Sequence, residues 1–141
     1  MKVTRIYRFA ASHRLHSPRL SDEENRRVYG KCDNPFGHGH DYVLEVTVAG
    51  PLDAAAGRLV EPERLDRLVE MRVLQAFRHR DLNTEVDAFS NTGVAPTTEN
   101  LALEIRRRLA GRWEEEIGPN AALERVRLYE TRKNIVETRE S

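Results

Sequence analysis

The chain has 141 residues, and its 23 basic and 23 acidic side chains cancel to a formal net charge of zero. That balance gives no bulk electrostatic field for a nucleic acid or an anionic membrane. No apolar run approaches the length of a membrane-spanning helix, and the N-terminus lacks the apolar run of a signal peptide. A single cysteine, Cys32, excludes an intrachain disulfide. We therefore expect one cytoplasmic domain over residues 1–141.

Two strands are predicted in the N-terminal third of the chain. In residues 3–13, one parity carries Phe9, Ala11 and His13, so an extended chain places them on one face. In residues 38–49, apolar side chains alternate with others, and the apolar set is Tyr42, Leu44, Val46 and Val48. The charged stretch from Ser17 to Lys31 is interpreted as a loop.

Two amphipathic helices are predicted in the middle of the chain. Pro62 is a favourable first residue for the first helix, whose apolar stripe is Leu65, Leu68, Val69, Val73 and Phe77. A polar segment from His79 to Pro96 separates the two helices. Thr97 and Thr98 are both suitable N-cap residues for the second helix, and its stripe is Leu101, Ile105 and Leu109.

The C-terminal region predicts two further strands. Val126 and Leu128 alternate with polar and aromatic neighbours, and residues 134–138 form a short fourth strand. The resulting order, β-β-α-α-β-β, predicts an α+β fold in which an antiparallel sheet carries both helices on one face. Such a sheet has two exposed edges, so we expect chains to assemble through them.

The sequence His38-Gly39-His40 is the strongest local signal for chemistry. In an extended segment both imidazoles point to the same side, and neutral imidazole is a suitable zinc ligand. A catalytic zinc typically has three protein ligands and one open position. His13 is the natural third ligand because it ends a neighbouring strand, and His16 competes for that position. On spacing alone, these histidines are also consistent with ordinary surface or turn residues.

Three further side chains are candidates for function. Cys32 lies between two charged residues, where a thiolate is able to act as a base or a metal ligand; the alternative is a small buried side chain. Glu130 shares the parity of Leu128, so its carboxylate points inward unless the strand has already ended. His79 is consistent with an acid–base group or with a surface residue at a helix end.

Taken together, these motifs resemble the 6-pyruvoyl-tetrahydropterin synthase family, which includes the related 6-carboxy-tetrahydropterin synthases. The resemblance is carried, in order, by FAASHRLHSPRLSDEEN, YGKCDNPFGHGHDY, PTTEN and LYETRKNIV. It extends over nearly the whole chain, and the segment from Phe9 to Tyr42 is similar to the animal-type synthases. It implies the tunnelling fold, in which the sheets of a homo-oligomer, commonly a trimer or hexamer, join into a barrel.

The resemblance also implies roles for individual residues. It assigns a zinc ion to a set of three side chains, His13, His38 and His40. His16 stays outside this set. Cys32 corresponds to the family's catalytic cysteine, and His79 corresponds to its catalytic histidine.

The substrate that the resemblance implies is 7,8-dihydroneopterin triphosphate, a small-molecule pterin. Glu130 corresponds to the glutamate that anchors the pterin ring by bidentate hydrogen bonds. The segment that lies by the pterin pocket corresponds to Thr97, Thr98 and Glu99. Zinc would act as a Lewis acid on the side-chain hydroxyls, and the Cys32 thiolate would remove the neighbouring carbon-bound proton. Elimination of triphosphate would then give 6-pyruvoyl-tetrahydropterin.

One position departs from the family pattern. Arg78 stands where the family has an aspartate before its catalytic histidine, and Asp81 is a candidate replacement if the local turn brings it back. One alternative is therefore a zinc-containing, pterin-binding homologue with altered or lost lyase activity. The other alternative is the 6-carboxy-tetrahydropterin synthase of deazapurine (queuosine-type) biosynthesis. The resemblance favours the pyruvoyl product over the carboxy product, because carboxy-type members of the family usually have a shorter gap than the five residues between Cys32 and His38.

Overall fold

The computed structural model describes residues 1–139 and contains an antiparallel sheet with the strand order β1-β2-β3-β4. The strands are β1 (Lys2–His13), β2 (His38–Ala49), β3 (Ala122–Tyr129) and β4 (Ile135–Arg139). Each strand pairs with its sequence neighbour. The four predicted strands are therefore confirmed, with ends that differ by one residue or a few.

The helical layer follows the two apolar stripes. The first helix, α2 (Pro62–Val69), continues through a π-helical segment (Glu70–Leu74) into α3 (Gln75–Phe77), and the second is α5 (Thr98–Ala110). Apolar residues spaced four positions apart shift gradually around a helix that has 3.6 residues per turn. The π-helical segment has more residues per turn, so it reduces this shift and keeps the apolar residues on one face. All the stripe residues lie in the hydrophobic core, against the inward side chains of the strands. The α+β prediction is confirmed.

The stretch from Ser17 to Lys31 is not a loop throughout, so that prediction was wrong. It contains α1 (Asp22–Tyr29), followed by a 3₁₀ turn (Gly30–Asp33). Ser21 accepts a hydrogen bond from the backbone of Glu24, whose side chain accepts one from the Ser21 backbone, which makes a capping box. Only Asn25 is buried in this helix, so no apolar stripe marks it in the sequence.

Two further short helices complete the chain. The polar segment between the two main helices contains α4 (Leu82–Glu85), and α6 (Trp113–Glu116) follows α5. No helix among residues 1–139 is both long and apolar enough to span a bilayer.

The register of β1 and β2 brings the candidate site together. His13 pairs with His38, and Ala11 pairs with His40. The side chains of this parity face the helices, because Phe9, Ala11 and Tyr42 are all buried in the core. The site therefore lies at one end of the sheet, on its helix-covered face.

Candidate metal centre

The three histidines of the predicted metal site converge in the structure. One ring nitrogen from each of His13, His38 and His40 lies within 4.8 Å of the other two, and the Nε2 atoms of His13 and His38 are 3.0 Å apart. Donors about 2.0–2.1 Å from one zinc ion lie within about 4 Å of one another. Small side-chain shifts would therefore place all three nitrogens on a common ion.

The contacts of His13 and His40 favour Nε2 as the nitrogen that would bind a metal, and Nε2 of His13 already lies 3.0 Å from Nε2 of His38. The Nδ1 atom of His13 lies 2.8 Å from the Pro96 carbonyl oxygen, which only accepts, so this nitrogen carries the proton and Nε2 keeps its lone pair. The Nε2 atom of His40 is buried and has no hydrogen-bond partner in the described part of the chain. An orphaned buried nitrogen is costly, and a metal ion would satisfy it. The residues fit a zinc ion.

Burial favours the metal-binding form of these rings. It lowers the pKa of His13 below the ordinary value, although the hydrogen bond to Pro96 acts in the opposite direction. Burial also lowers the pKa of His40, which the Glu130 carboxylate partly offsets. Both rings are therefore neutral near pH 7, which is the state that binds a metal.

Tyr42 supports the cluster from the core side. The sequence placed it on the apolar face of the second strand but did not predict its contact with the histidines. Its ring stacks on Phe9 with the centroids 5.1 Å apart, and it meets His40 edge-on at 5.7 Å. Its side chain is fully buried. The even parity that Tyr42 shares with the histidines of β2 is the only signal that could have found it.

Glu130 points inward, although β3 ends one residue before it, at Tyr129. Its carboxylate oxygens lie 3.8 Å from Nε2 of His13 and 3.9 Å from Nε2 of His40. The Thr98 hydroxyl donates to one oxygen over 2.6 Å, and the Asn134 amide donates to the other over 3.2 Å. Burial raises the pKa of Glu130, but these hydrogen bonds outweigh it, so the pKa lies below its ordinary value.

The other residues of the PTTEN segment have different environments. Thr97 is the N-cap of α5, where its hydroxyl accepts from the backbone N–H of Asn100. Glu99 is exposed in the first turn of this helix. The substrate-binding roles of Thr97 and Glu99 stay predictions.

Cys32 lies in the 3₁₀ turn after α1 and is half-buried. Its sulfur is not part of the group of donor atoms that lie within 4.8 Å of one another. Its carbonyl oxygen accepts from the Leu15 backbone over 2.8 Å, which ties the turn to the segment that follows β1. Next to it, Asp33 bonds the Nδ1 atom of His16 over 2.7 Å and the Arg14 guanidinium over 3.0 Å.

His16 is therefore a structural partner of Asp33 and does not belong to the three-histidine group. This agrees with what the family resemblance implies. Asp33 is almost fully buried. The pairing of Asp33 with His16 was not predicted, because neither residue lies in a periodic segment.

His79 lies in a segment that runs along the outer edge of β1, where Asp81 forms a bridge to Ser12. It borders a cavity whose lining also includes Ala10, Gly39 and the candidate ligand His40. Its backbone has φ 58°, and its N–H donates to the Ala10 carbonyl over 2.7 Å. A non-glycine residue in this region is strained. The His79 ring is not part of the group of donor atoms that lie within 4.8 Å of one another.

The neighbours of His79 are held by other contacts. The Arg78 guanidinium makes two hydrogen bonds to the Glu70 carboxylate, 2.9 and 3.1 Å long, so it is directed toward the π-helical segment. The Asp81 carboxylate accepts from the backbone N–H of Asn83 and caps α4. The candidate role of Asp81 in orienting His79 stays a prediction.

A cavity of about 620 Å³ lies beside the cluster, between the loops at this end of the sheet. Its walls include His13, Arg14, Gly37, Asp81 and Asn83. The volume is in the range of small-molecule sites.

Comparison with known proteins was made at the level of sequence and structure. The sequence profile described as 6-pyruvoyl tetrahydropterin synthase matches residues 2–141. The 6-pyruvoyl tetrahydrobiopterin synthase of Poecilia reticulata is 43% identical over 134 residues, which cover 95% of this chain and 86% of that protein. A more distant relative, the 6-carboxy-5,6,7,8-tetrahydropterin synthase of Rickettsia typhi, is 24% identical over 150 residues, with 97% and 99% coverage.

Among solved structures, the chain is similar to Caenorhabditis elegans 6-pyruvoyl tetrahydropterin synthase. The TM-score is 0.88 at 34% identity, with 100% of this chain and 96% of that chain covered.

The fold and the site define an α+β protein whose sheet presents three converging histidines beside an anchored carboxylate. The sequence and structural matches identify it more closely. The chain belongs to the 6-pyruvoyl tetrahydropterin synthase family, a family of lyase enzymes.

Proposed function

We propose that the protein is a zinc-dependent lyase that converts 7,8-dihydroneopterin triphosphate to 6-pyruvoyl-tetrahydropterin. The observation that carries the proposal is the placement of the Glu130 carboxylate within 4 Å of two histidine Nε2 atoms. A pterin held by this carboxylate would present its side chain to a metal held by those nitrogens. The 43% identity to a protein named for the pyruvoyl product supports this choice over the carboxy product.

Zinc would be held by His13, His38 and His40, and it would supply Lewis acidity toward the hydroxyl groups of the substrate. Glu130 accepts hydrogen bonds from the pterin ring N–H and amino groups, which fixes the ring. The Cys32 thiolate accepts the proton from the side-chain carbon. The bond from carbon to the triphosphate oxygen breaks, and the electrons released in the side chain reduce the dihydropterin ring. The reaction therefore needs no external nicotinamide.

His79 is proposed to transfer protons during this rearrangement. Because its segment lies along the outer edge of β1, where a neighbouring chain would pack, it would serve the site of that neighbouring copy. The proposed assembly is a barrel, as a trimer or hexamer, in which β1 of one chain meets β4 of the next. Both are edge strands of the sheet, and β1 is bridged on its outer side at Ser12 by Asp81.

The experiment that tests the proposal is incubation of the zinc-loaded protein with 7,8-dihydroneopterin triphosphate, followed by mass analysis. The proposed function predicts 6-pyruvoyl-tetrahydropterin and inorganic triphosphate. A 6-carboxy product would replace it with the deazapurine-pathway reaction. Recovery of unchanged substrate would favour a pterin-binding homologue without lyase activity.

A further inference from the structure

The turn between β3 and β4 brings Asn134 back over Glu130. The Glu130 N–H donates to the Asn134 carbonyl over 3.0 Å. The Thr131 hydroxyl oxygen accepts from the backbone N–H groups of Lys133 and Asn134, each over 3.1 Å. Backbone contacts and Thr131 therefore shape this turn, and the Asn134 side chain is not needed for it.

The Asn134 amide and the Thr98 hydroxyl form a closed network with the Glu130 carboxylate. Asn134 Nδ2 lies 3.2 Å from one carboxylate oxygen and 3.3 Å from the Thr98 oxygen. The Thr98 oxygen lies 2.6 Å from the other carboxylate oxygen. An ionised carboxylate only accepts hydrogen bonds, so the single hydroxyl proton of Thr98 is directed to Glu130.

Thr98 consequently has no proton left to donate to a pterin. Its side chain is also almost entirely buried, with 2% exposed. The family resemblance predicts that Thr98 lies by the pterin pocket and binds the substrate. In the structure its hydroxyl contacts Glu130 instead.

We infer that Thr98 and Asn134 are positioning residues, which together hold the Glu130 carboxylate in the orientation that binds the pterin ring. Each residue bonds one carboxylate oxygen, so rotation of the group is blocked from both sides. Each oxygen has a second lone-pair direction, and these remain for a bidentate contact with the ring. Fixing an acceptor before the ligand arrives lowers the entropic cost of binding. The inference rests on the proposed function.

The test is the affinity of the zinc-loaded protein for 7,8-dihydroneopterin, measured by calorimetry. This probe has the pterin ring and no triphosphate leaving group. The variants are Thr98→Val and Asn134→Leu, which keep the side-chain size and remove the donor. Thr131→Val is the matched control, because it removes a hydroxyl that bonds the backbone of the turn at Lys133 and Asn134 and not the Glu130 carboxylate. Zinc content is measured for every variant.

Asn134→Leu is expected to raise the Kd about fivefold, and Thr98→Val, at a buried site, about tenfold. The double variant should lose less affinity than the product of the two single losses, because both act through Glu130. In steady state the KM for the triphosphate substrate should rise more than kcat falls. Thr131→Val should leave the Kd within about twofold of the wild type.

The inference is overturned if both donor-removing variants bind within twofold of the wild type. It is also overturned if Thr131→Val weakens binding as much as Asn134→Leu, since the turn alone would then explain the effect. Glu130→Gln separates these results from the proposed function. If wild type and Glu130→Gln bind the probe equally, or neither binds, the pterin-anchoring proposal itself fails, and this inference fails with it.

Discussion

Replacing His40 by alanine should remove most of the stabilisation that zinc gives this protein. The Nε2 atom of His40 is buried and has no hydrogen-bond partner among residues 1–139, and the matching nitrogens of His13 and His38 lie within 4.8 Å of it. In the wild type, free zinc at 100 times its Kd stabilises the folded state by about 2.7 kcal/mol. For a chain of this length, that corresponds to a rise in Tm of roughly 5–11 °C.

Without metal, His40→Ala should change the free energy of unfolding only slightly, because two effects oppose each other. Alanine leaves a void where the ring was, but it also removes a buried nitrogen that has no partner. The stability of the two metal-free proteins is therefore expected to be similar. The difference between them should appear when zinc is added, because a centre with two histidine ligands binds the ion more weakly.

The assay is thermal unfolding of chelator-treated protein, with and without added zinc, at one fixed protomer concentration. His16→Ala is the matched control, since it removes the same side chain from a histidine that bonds Asp33 outside the three-histidine group. It should keep the zinc-dependent rise in Tm. An equal rise in His40→Ala and wild type, or a rise lost only in His16→Ala, would refute the assignment of the metal centre.

Three further variants test the proposed chemistry and the local structure. Cys32→Ala should keep zinc and 7,8-dihydroneopterin binding while abolishing turnover; unchanged turnover would assign proton removal to another group. Arg78→Asp should change turnover little, and it should lower the urea midpoint slightly because it breaks the ion pair with Glu70. A clear gain in activity that Arg78→Met does not show would instead support a homologue that has lost the lyase step. The hydrogen bond from His16 holds the pKa of Asp33 below its ordinary value. The stabilisation that this contact gives the folded state is therefore present above about pH 4, and it is lost as the pH falls through the pKa of Asp33 in the folded protein. Urea unfolding should therefore show Asp33→Asn less stable than wild type at pH 7, with a gap that closes toward pH 2; a constant gap would contradict this.

The main elements of the fold could be predicted because they bury periodic apolar side chains. The stripes of α2 and α5 and the alternation in β2 are all in the core. The helix α1 could not be found this way, since its hydrogen-bonded Ser21 cap and not an apolar face marks its start. The capping-box spacing of Ser21 and Glu24 was the available signal.

The site shows the same limit. Parity predicted the shared face of His38 and His40, because a strand alternates its side chains strictly. It left the direction of Glu130 open, because β3 ends at Tyr129. It could not predict Asn134, which reaches Glu130 only through the geometry of a turn, or Arg78, whose partner Glu70 lies across a π-helical segment. Such contacts depend on how the elements pack, and no local pattern records them.

The measurement that tests the central claim most directly compares the conversion of 7,8-dihydroneopterin triphosphate by three samples. These are chelated wild type, zinc-reconstituted wild type and zinc-reconstituted Glu130→Gln, and the products are identified by mass. The proposed function predicts 6-pyruvoyl-tetrahydropterin and triphosphate from the zinc-reconstituted wild type, with little or no product from the other two. Equal product from demonstrably metal-free protein, or no product from the zinc-reconstituted wild type, would contradict it.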